Sequence, residues 1–291
     1  MKSLHKVPAP AKLNLFLHIT GRRNDGYHLL QSAFMLIDWC DTLHFDVRTD
    51  GHITRHDLSA PLPADDLTVK AARALQTFSG THLGVDIQIE KSIPAQAGMG
   101  GGSSDAASCL LALNRLWNLH LSRALLMHIG LSLSADVPFF LSGNNAWVQG
   151  IGEQIQSIDI PPAQFLVLKP AAGLSTQAIF SHEELKRDTE TAIISGFLAH
   201  PFDFGRNDLQ AVAQKLCPDV NVALNWLSNK GLQPRMTGSG SAVFAHVGSD
   251  KLNQFVDSSV NLTASLRDTP ENSILKICSN LAEHPLKSWA D

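Results

Sequence analysis

Gly98-Met99-Gly100-Gly101-Gly102-Ser103-Ser104 puts four glycines into five positions, and its two flanks decide the fold. Ahead of it Val85, Ile87 and Ile89 alternate with Asp86, Gln88 and Glu90, the period of two that marks a half-buried strand. Behind it Ala106, Leu110, Leu113 and Trp117 recur at helical spacing. The glycines therefore join a strand to the first turn of a helix. Glycine takes positive φ without strain, and the amides of a first helical turn have no intrahelical acceptor. Bare N–H groups at the positive end of a helix dipole suit an anion. The stretch reads as a phosphate cradle, and with it a nucleotide site. It is not a Walker A loop, because no Lys follows the last glycine, nor a dinucleotide fingerprint, because Ser103 stands where the third glycine belongs. A flexible Gly/Ser linker is the plain alternative, and the ordered pattern on both flanks argues against it. Ser103 and Ser104 have three uses open to them: helix cap, phosphate contact or metal ligand. Asp105 suits the helix dipole but would repel a phosphate pressed against it, so it is expected to turn aside.

The chain has 291 residues, 44% hydrophobic and 17% charged, which is ordinary for an enzyme-sized globular protein of one large or two smaller domains. A formal net charge of -4 argues against broad nucleic-acid binding, which needs a basic face. Cys40, Cys109, Cys217 and Cys278 are widely spaced without a C-x-x-C, so neither a disulfide framework nor a zinc site is signalled. They read as reduced, mostly buried thiols of a cytoplasmic protein. No apolar run reaches membrane-spanning length, and Lys12 and Asn14 interrupt the first apolar stretch too early for a signal peptide. No membrane partner is expected.

Along the chain, Leu13, Leu15, Leu17 and Ile19 alternate and predict a strand with these four on one face. Lys12 and Asn14 then share the opposite face. A solvated strand face and a cation site stand level on that segment alone. Asn24-Asp25-Gly26 is a turn signal, followed by Tyr27, the only tyrosine, and His28. A packed hairpin base and a base-stacking pair both remain open there. Segments 33–37 and 42–47 predict two further strands. Residues 65–78 predict an amphipathic helix capped by Asp65 or Asp66. Lys91, just ahead of the glycines, reads most simply as a solvated strand-end lysine. Ser122 is expected to cap a helix that ends near Gly130.

Asp136 leads into Val137-Pro138-Phe139-Phe140-Leu141, and a carboxylate beside an apolar run needs a partner. It suits an N-cap with Pro138 in the first turn, which does not exclude a catalytic carboxylate kept ionised by a cation. Pro161-Pro162 is the best candidate boundary, giving domains 1–160 and 161–291. Residues 209–229 are helical in pattern. Thr237-Gly238-Ser239-Gly240-Ser241 reads as a tight turn in preference to a second anion nest. The last helical pattern, 251–256, precedes a polar tail.

Four pieces together resemble the GHMP small-molecule kinases, a superfamily of galactose, homoserine, mevalonate and phosphomevalonate kinases. They are Pro10-Ala11-Lys12-Leu13-Asn14-Leu15, Ile93-Pro94 through Gly98 to Ala107, Ala135-Asp136-Val137-Pro138-Phe139-Phe140, and Gly238-Ser239-Gly240-Ser241. Gly21-Arg22 with Asp25-Gly26-Tyr27-His28, and the run Asp136 to Leu141, are most similar to the branch acting on a cytidine diphosphate derivative of methylerythritol. The resemblance implies a two-domain α+β fold with an active-site cleft between the domains. It implies transfer of the ATP γ-phosphoryl group to the 2-hydroxyl of 4-diphosphocytidyl-2-C-methyl-D-erythritol, in non-mevalonate isoprenoid synthesis. Asp136 would be the base and Lys12 its cationic partner. Pro94, Ala95, Gln96, Ala97, Gly98, Met99, Gly100, Gly101, Gly102, Ser103 and Ser104 would hold the phosphates, with Lys91 and Asp66 on the adenine side. Asn14 would hold the erythritol end, Tyr27 and Phe180 would sandwich the cytosine, and His28 would read its edge. Asp66 departs from the Asn common in the family, and Met99 replaces the usual Leu. Mg²⁺ is expected with ATP, and no carboxylate cluster marks a dedicated protein site for it. The nearest rival reading is a homoserine or mevalonate type of GHMP kinase, against which Tyr27 and Phe180 argue. A non-catalytic nucleotide-binding or RNA-binding module is the rival of another class.

Overall fold

The computed structural model describes residues 2–59, 61–255 and 268–291. The chain opens with two long antiparallel strands, β1 (Ser3–Arg22) and β2 (His28–Arg48), joined by the turn at Asn24-Asp25-Gly26. Then come β3 (Ile53–Asp57), α1 (Leu67–Ser79) and β4 (Gly84–Glu90), followed by the glycine loop and α2 (Gly101–Leu116). Next are α3 (Arg123–Leu131), α4 (Val137–Ser142), β5 (Ala146–Gly150) and β6 (Gln154–Ser157). β1 lines one side of β2. On its other side β4 pairs with residues 42–48 and β5 with residues 30–34. β3 joins β4 in parallel.

The second half begins with β7 (Gln164–Lys169), α5 (Thr176–Ser181), α6 (Ile194–Ala199), α7 (Gln210–Leu216) and α8 (Pro218–Asn229). It continues through β8 (Pro234–Met236), β9 (Val243–Val247), α9 (Ser249–Phe255) and β10 (Ile274–Ser279). These strands form an antiparallel sheet in the order β10-β7-β9-β8. Helices and two sheets in these proportions make the α+β fold expected from the sequence.

Several expectations change. The two strands predicted at 33–37 and 42–47 are one strand, β2, because the residues between them stay extended through register shifts against β1. Leu13, Leu15, Leu17 and Ile19 do not share one face. A register shift between Asn14 and Leu17 re-aims the strand. Leu13 and Leu15 pack with Met35 and Phe165, while Leu17 and Ile19 join Leu166 and Leu209 in another core. The 209–229 pattern is broken at Cys217 by Pro218, which opens α8 because it cannot donate a mid-helix hydrogen bond. Over its described residues, 268–291, the polar tail is no tail. β10 pairs along all six residues of β7, and Leu286 and Ala290 are buried in the core beneath α2 and α4. The guanidinium of Arg123 holds that end by donating to the carbonyls of Lys287 and Ala290. The helix predicted over 251–256 is α9, and residue 256 lies outside the described residues.

Candidate active site

The glycine loop leaves β4, crosses residues 91–100 and enters α2 with Gly100 at the N-cap position, φ 71°. The first helical amide with a backbone acceptor is that of Ser104, which donates to the Gly100 carbonyl at 2.9 Å. The amides of Gly101, Gly102 and Ser103 have none among the described residues, so they remain available to an anion. Gly98 is glycine for a harder reason. A Cβ there would stand 2.2 Å from the Thr237 carbonyl oxygen and 2.8 Å from the Gly240 nitrogen.

The second glycine segment is a turn, closed by the Gly240 amide donating to Thr237 O at 2.9 Å, and it lies against the first loop. The Ser241 amide donates to Gln96 O at 3.0 Å. Asn207 holds the turn from behind, its Nδ2 donating to the carbonyls of Met236 and Gly238, each at 2.8 Å. Gly238, Ser239 and Gly240 line the same cleft as the first loop.

That cleft, of about 840 Å³, runs between the two halves of the chain. Lys12, Asn14, Asp66, Lys91 and residues 94–102 line it from one side, and Leu174 to Gln177, Phe180 and the second turn from the other. The Lys12 amide donates to Met99 O at 3.0 Å, which ties β1 to the loop. Lys12 and Asn14 do share a face: Lys12 Nζ donates to Asn14 Oδ1 at 2.5 Å. Asn14 Nδ2 in turn donates to Ser32 Oγ at 3.0 Å, and the Asn14 amide donates to Thr237 Oγ1 at 2.9 Å.

Asp136 stands at the N-cap position of α4 but makes no capping hydrogen bond. Its carboxylate, 31% exposed, faces Lys12 Nζ at 3.7 Å. The ammonium itself is buried and sits 4.6 Å from the centre of the Phe34 ring. Burial lowers the Lys12 pKa below the ordinary 10.5, and Asp136 offsets part of that drop.

Lys91 is not a solvated strand-end lysine. Its ammonium sits between the buried carboxylates of Asp41 and Asp105, the latter at 2.5 Å. Burial alone would lower Lys91, but the two carboxylates, Asp105 ahead of Asp41, outweigh it and raise it. Burial pushes Asp105 up to about 7, against the pull of Lys91. Asp105 is buried against Lys91 at the wall of the cleft. Asp41 was not singled out from the sequence. Its Oδ1 accepts from the amides of Ser92 and Ile93 at 2.6 and 2.8 Å and so fixes where the loop begins. An Asp between Trp39 and Leu43 in an apolar strand was the available signal, since such a group needs partners.

Of the serines, Ser103 Oγ donates to Ser134 Oγ at 3.2 Å. The Ser104 side chain turns into the protein with its hydroxyl unpartnered, one helical turn before Ser108, which donates to Pro8 O. Neither caps the helix. Asp66 caps α1 through the Val69 amide at 3.1 Å and pairs with Arg55 at 2.8 Å, so its carboxylate is already engaged. At the far end Phe180 lines the cleft, and the His28 ring packs on it with centroids 5.1 Å apart. Tyr27 is 61% exposed, and both it and His28 lie outside the cleft lining, His28 just behind Phe180. Among the described residues no group of three or more His, Cys, Asp or Glu side chains is placed to hold a metal ion.

The arrangement is a bare amide nest with an ammonium and a carboxylate beside it, which suits phosphoryl transfer to an alcohol. Comparison with known proteins agrees. The family model "GHMP kinases N terminal domain" matches residues 66–144, and "GHMP kinases C terminal" matches residues 189–258. A 4-diphosphocytidyl-2-C-methyl-D-erythritol kinase of Albidiferax ferrireducens is 62% identical over 100% of this chain and 96% of its own length. One of Polaromonas naphthalenivorans is 61% identical over 99% of this chain and 97% of its own. A crystal structure of 4-(cytidine 5'-diphospho)-2C-methyl-D-erythritol kinase superposes with a TM-score of 0.74 at 28% identity, covering 95% of this chain and 99% of that one. Mevalonate kinase of L. major shares the fold, with a TM-score of 0.66 at 16% identity and coverage of 95% and 96%. By full-length identity at this level, the chain belongs to the GHMP kinases, in the family of the 4-diphosphocytidyl-2-C-methyl-D-erythritol kinases.

Proposed function

We propose that this enzyme transfers the γ-phosphoryl group of ATP to the 2-hydroxyl of 4-diphosphocytidyl-2-C-methyl-D-erythritol. The observation that carries the reading is the Lys12–Asp136 pair, 3.7 Å apart beside the unpaired amides at the start of α2. Asp136 takes the proton of the attacking hydroxyl. The new O–P bond forms as the bond from the γ-phosphorus to the bridging oxygen breaks, and ADP leaves with that electron pair. Lys12 faces the charge on the transferring group and keeps Asp136 ionised. A positioned base of this kind contributes ~10²–10⁴-fold in rate. The amides of Gly101, Gly102 and Ser103 hold phosphate oxygens, and residues 94–100 shape the loop around them.

On the substrate side, Asn14 orients the erythritol end, held by Ser32 and Lys12. Phe180 and His28 form the pyrimidine end. Tyr27 reaches the base only by swinging in from its exposed position on the turn. Lys91 and Asp66 line the nucleotide end, and the partners that engage both suit them to shaping the wall. Mg²⁺, when present, neutralises phosphate charge. Ser134 and Asp136 on the cleft wall would be the side chains to meet it, and among the described residues no group of three or more His, Cys, Asp or Glu could cage it, so the ion fits as a passenger of the nucleotide. We place the boundary between the two lobes at 160/161, with Leu286 and Ala290 returning to the core of the first lobe, and the protein in the cytoplasm, where its four free thiols stay reduced. The test is a phosphorylation assay offering the cytidine substrate, mevalonate and homoserine in parallel. Transfer to the cytidine substrate alone is the expected result, and preferential transfer to either small alcohol overturns the reading.

A further inference from the structure

Arg187 follows α5 and carries no motif signal, yet all five of its N–H donors are used. Nη2 donates to the carbonyls of Phe180 at 3.2 Å and His182 at 2.7 Å, and Nη1 to those of Leu185 at 3.0 Å and Glu183 at 3.3 Å. Four bonds therefore pin the segment that bears Phe180. The fifth goes elsewhere: Nε donates to Nε2 of His28 at 3.0 Å, across 159 residues of chain. A guanidinium is always a donor, so Nε2 of His28 is the acceptor and carries no proton.

We infer that Arg187 is a positioning residue that fixes His28 as the Nδ1–H tautomer and so presents the ring to the pyrimidine purely as a hydrogen-bond donor. The inference rests on the reading of His28 and Phe180 as the base site. It gives that site a reason to prefer cytosine. Cytosine offers acceptors at N3 and O2, whereas uracil carries a hydrogen on N3, which a fixed donor meets head-on. The charged groups facing His28 are Arg187 from the segment after α5 and Arg22 from the end of β1. Burial first, then these two cations, lower its pKa below 6.5, which keeps the ring neutral at physiological pH. The same bond holds His28 against Phe180.

The test reads the tautomer directly, by ¹⁵N NMR of histidine-labelled protein with His28 assigned by its loss in His28→Ala. Wild type is expected to show a protonated Nδ1 and a bare Nε2. Arg187→Met is expected to show mixed tautomers and a pKa raised toward 6.5. A wild-type ring protonated on Nε2 overturns the inference. In steady-state assays Arg187→Met should raise KM for the cytidine substrate by roughly 3–10-fold, the effect of one lost hydrogen bond. KM for ATP should stay within about twofold, the scatter between related variants, since Arg187 lies outside the nucleotide end. It should also narrow the preference over the uridine diphosphate analogue. The KM defect should shrink below pH 6, where the imidazolium again donates from Nδ1. A pH-independent defect marks a merely structural role and overturns the inference. Arg187→Lys, which keeps the charge and one donor, should recover part of the preference. If His28→Ala leaves KM for the cytidine substrate unchanged, the base-site reading itself fails, a result separable from the tautomer measurement.

Discussion

Alanine at Gly98 and alanine at Gly102 should fail in opposite ways. At Gly98 the backbone is left-handed, φ 72°, and the added methyl overlaps the Thr237 carbonyl oxygen at 2.2 Å. The conformation alone costs about 1–2 kcal/mol, and forcing the two glycine segments apart adds about 1–3 kcal/mol. The sum is roughly 2–5 kcal/mol, a fall in Tm of about 3–8 °C for a chain of 291 residues. At Gly102 the nearest atom to an added Cβ is Leu67 Cδ1 at 3.7 Å, ordinary contact, and the residue is helical. Alanine there should leave Tm unchanged or raise it slightly, since Gly to Ala in a helix gains about 0.5–1 kcal/mol. Gly102 nevertheless lines the cleft, so the methyl is added beside the amides assigned to phosphate. Calorimetric titration with ATP should therefore show Gly102→Ala weakened by roughly tenfold or more, the cost of about one charge-assisted hydrogen bond, in a protein that melts like wild type. Wild-type ATP affinity in Gly102→Ala would refute the phosphate nest, and a wild-type Tm in Gly98→Ala would refute the close packing of the two turns.

The alkaline limb of the kcat/KM profile, which reports the free enzyme, should fall below pH 10.5, because burial lowers Lys12 and its charge is lost as pH rises through that lowered pKa. The residual activity of Asp136→Asn should lose that limb at still lower pH, since the carboxylate that offsets the burial is gone. Asp105 sits at about 7 when folded and near 3.8 when unfolded. The folded state thus binds the extra proton between these values, and this group's contribution to stability is full below 3.8 and lost as pH rises through 7. Asp105→Asn should accordingly flatten the fall of Tm between about pH 4 and pH 7, and a slope equal to wild type would count against the assignment. Asp66→Asn keeps an N-cap and should move KM for ATP less than about twofold, whereas Asp66→Ala also loses the cap and should lower stability by about 1 kcal/mol; a large change in KM for ATP in Asp66→Asn would make Asp66 a direct ligand.

What could be read from the residues follows from how local each signal is. The glycine loop, the helix behind it and the Ser122 cap all rest on neighbours within a few positions, and the structure has them where the spacing put them. Asp136 was legible as a cap position, but its lack of a capping bond appears only once Lys12, 124 residues earlier, lies opposite it. Alternation misread the end of β1 because a register shift breaks the period without leaving a residue type behind to mark it. Lys91 was misread because its two carboxylates come from β2 and α2. Asn207 and Arg187 were missed for the same reason: they bond backbone carbonyls, which every residue has, and, for Arg187, a ring 159 residues away, so no spacing betrays them. The C-terminal strand looked like a tail because Lys276 and Ser279 dilute its apolar pattern at a sheet edge.

The central claim is that Asp136 and Lys12 act together on a substrate hydroxyl beside the amide nest. The most direct measurement is single-turnover transfer of the γ-phosphoryl group to the cytidine substrate by wild type, Asp136→Asn, Lys12→Met and the double variant, with ATP affinity measured on each. The account predicts that each single variant binds ATP within a few-fold of wild type but transfers ~10²–10⁴-fold more slowly. It also predicts that the double variant is little worse than the poorer single one, because the two side chains serve one step. Near-wild-type transfer by Asp136→Asn, or fully additive losses in the double variant, would contradict it.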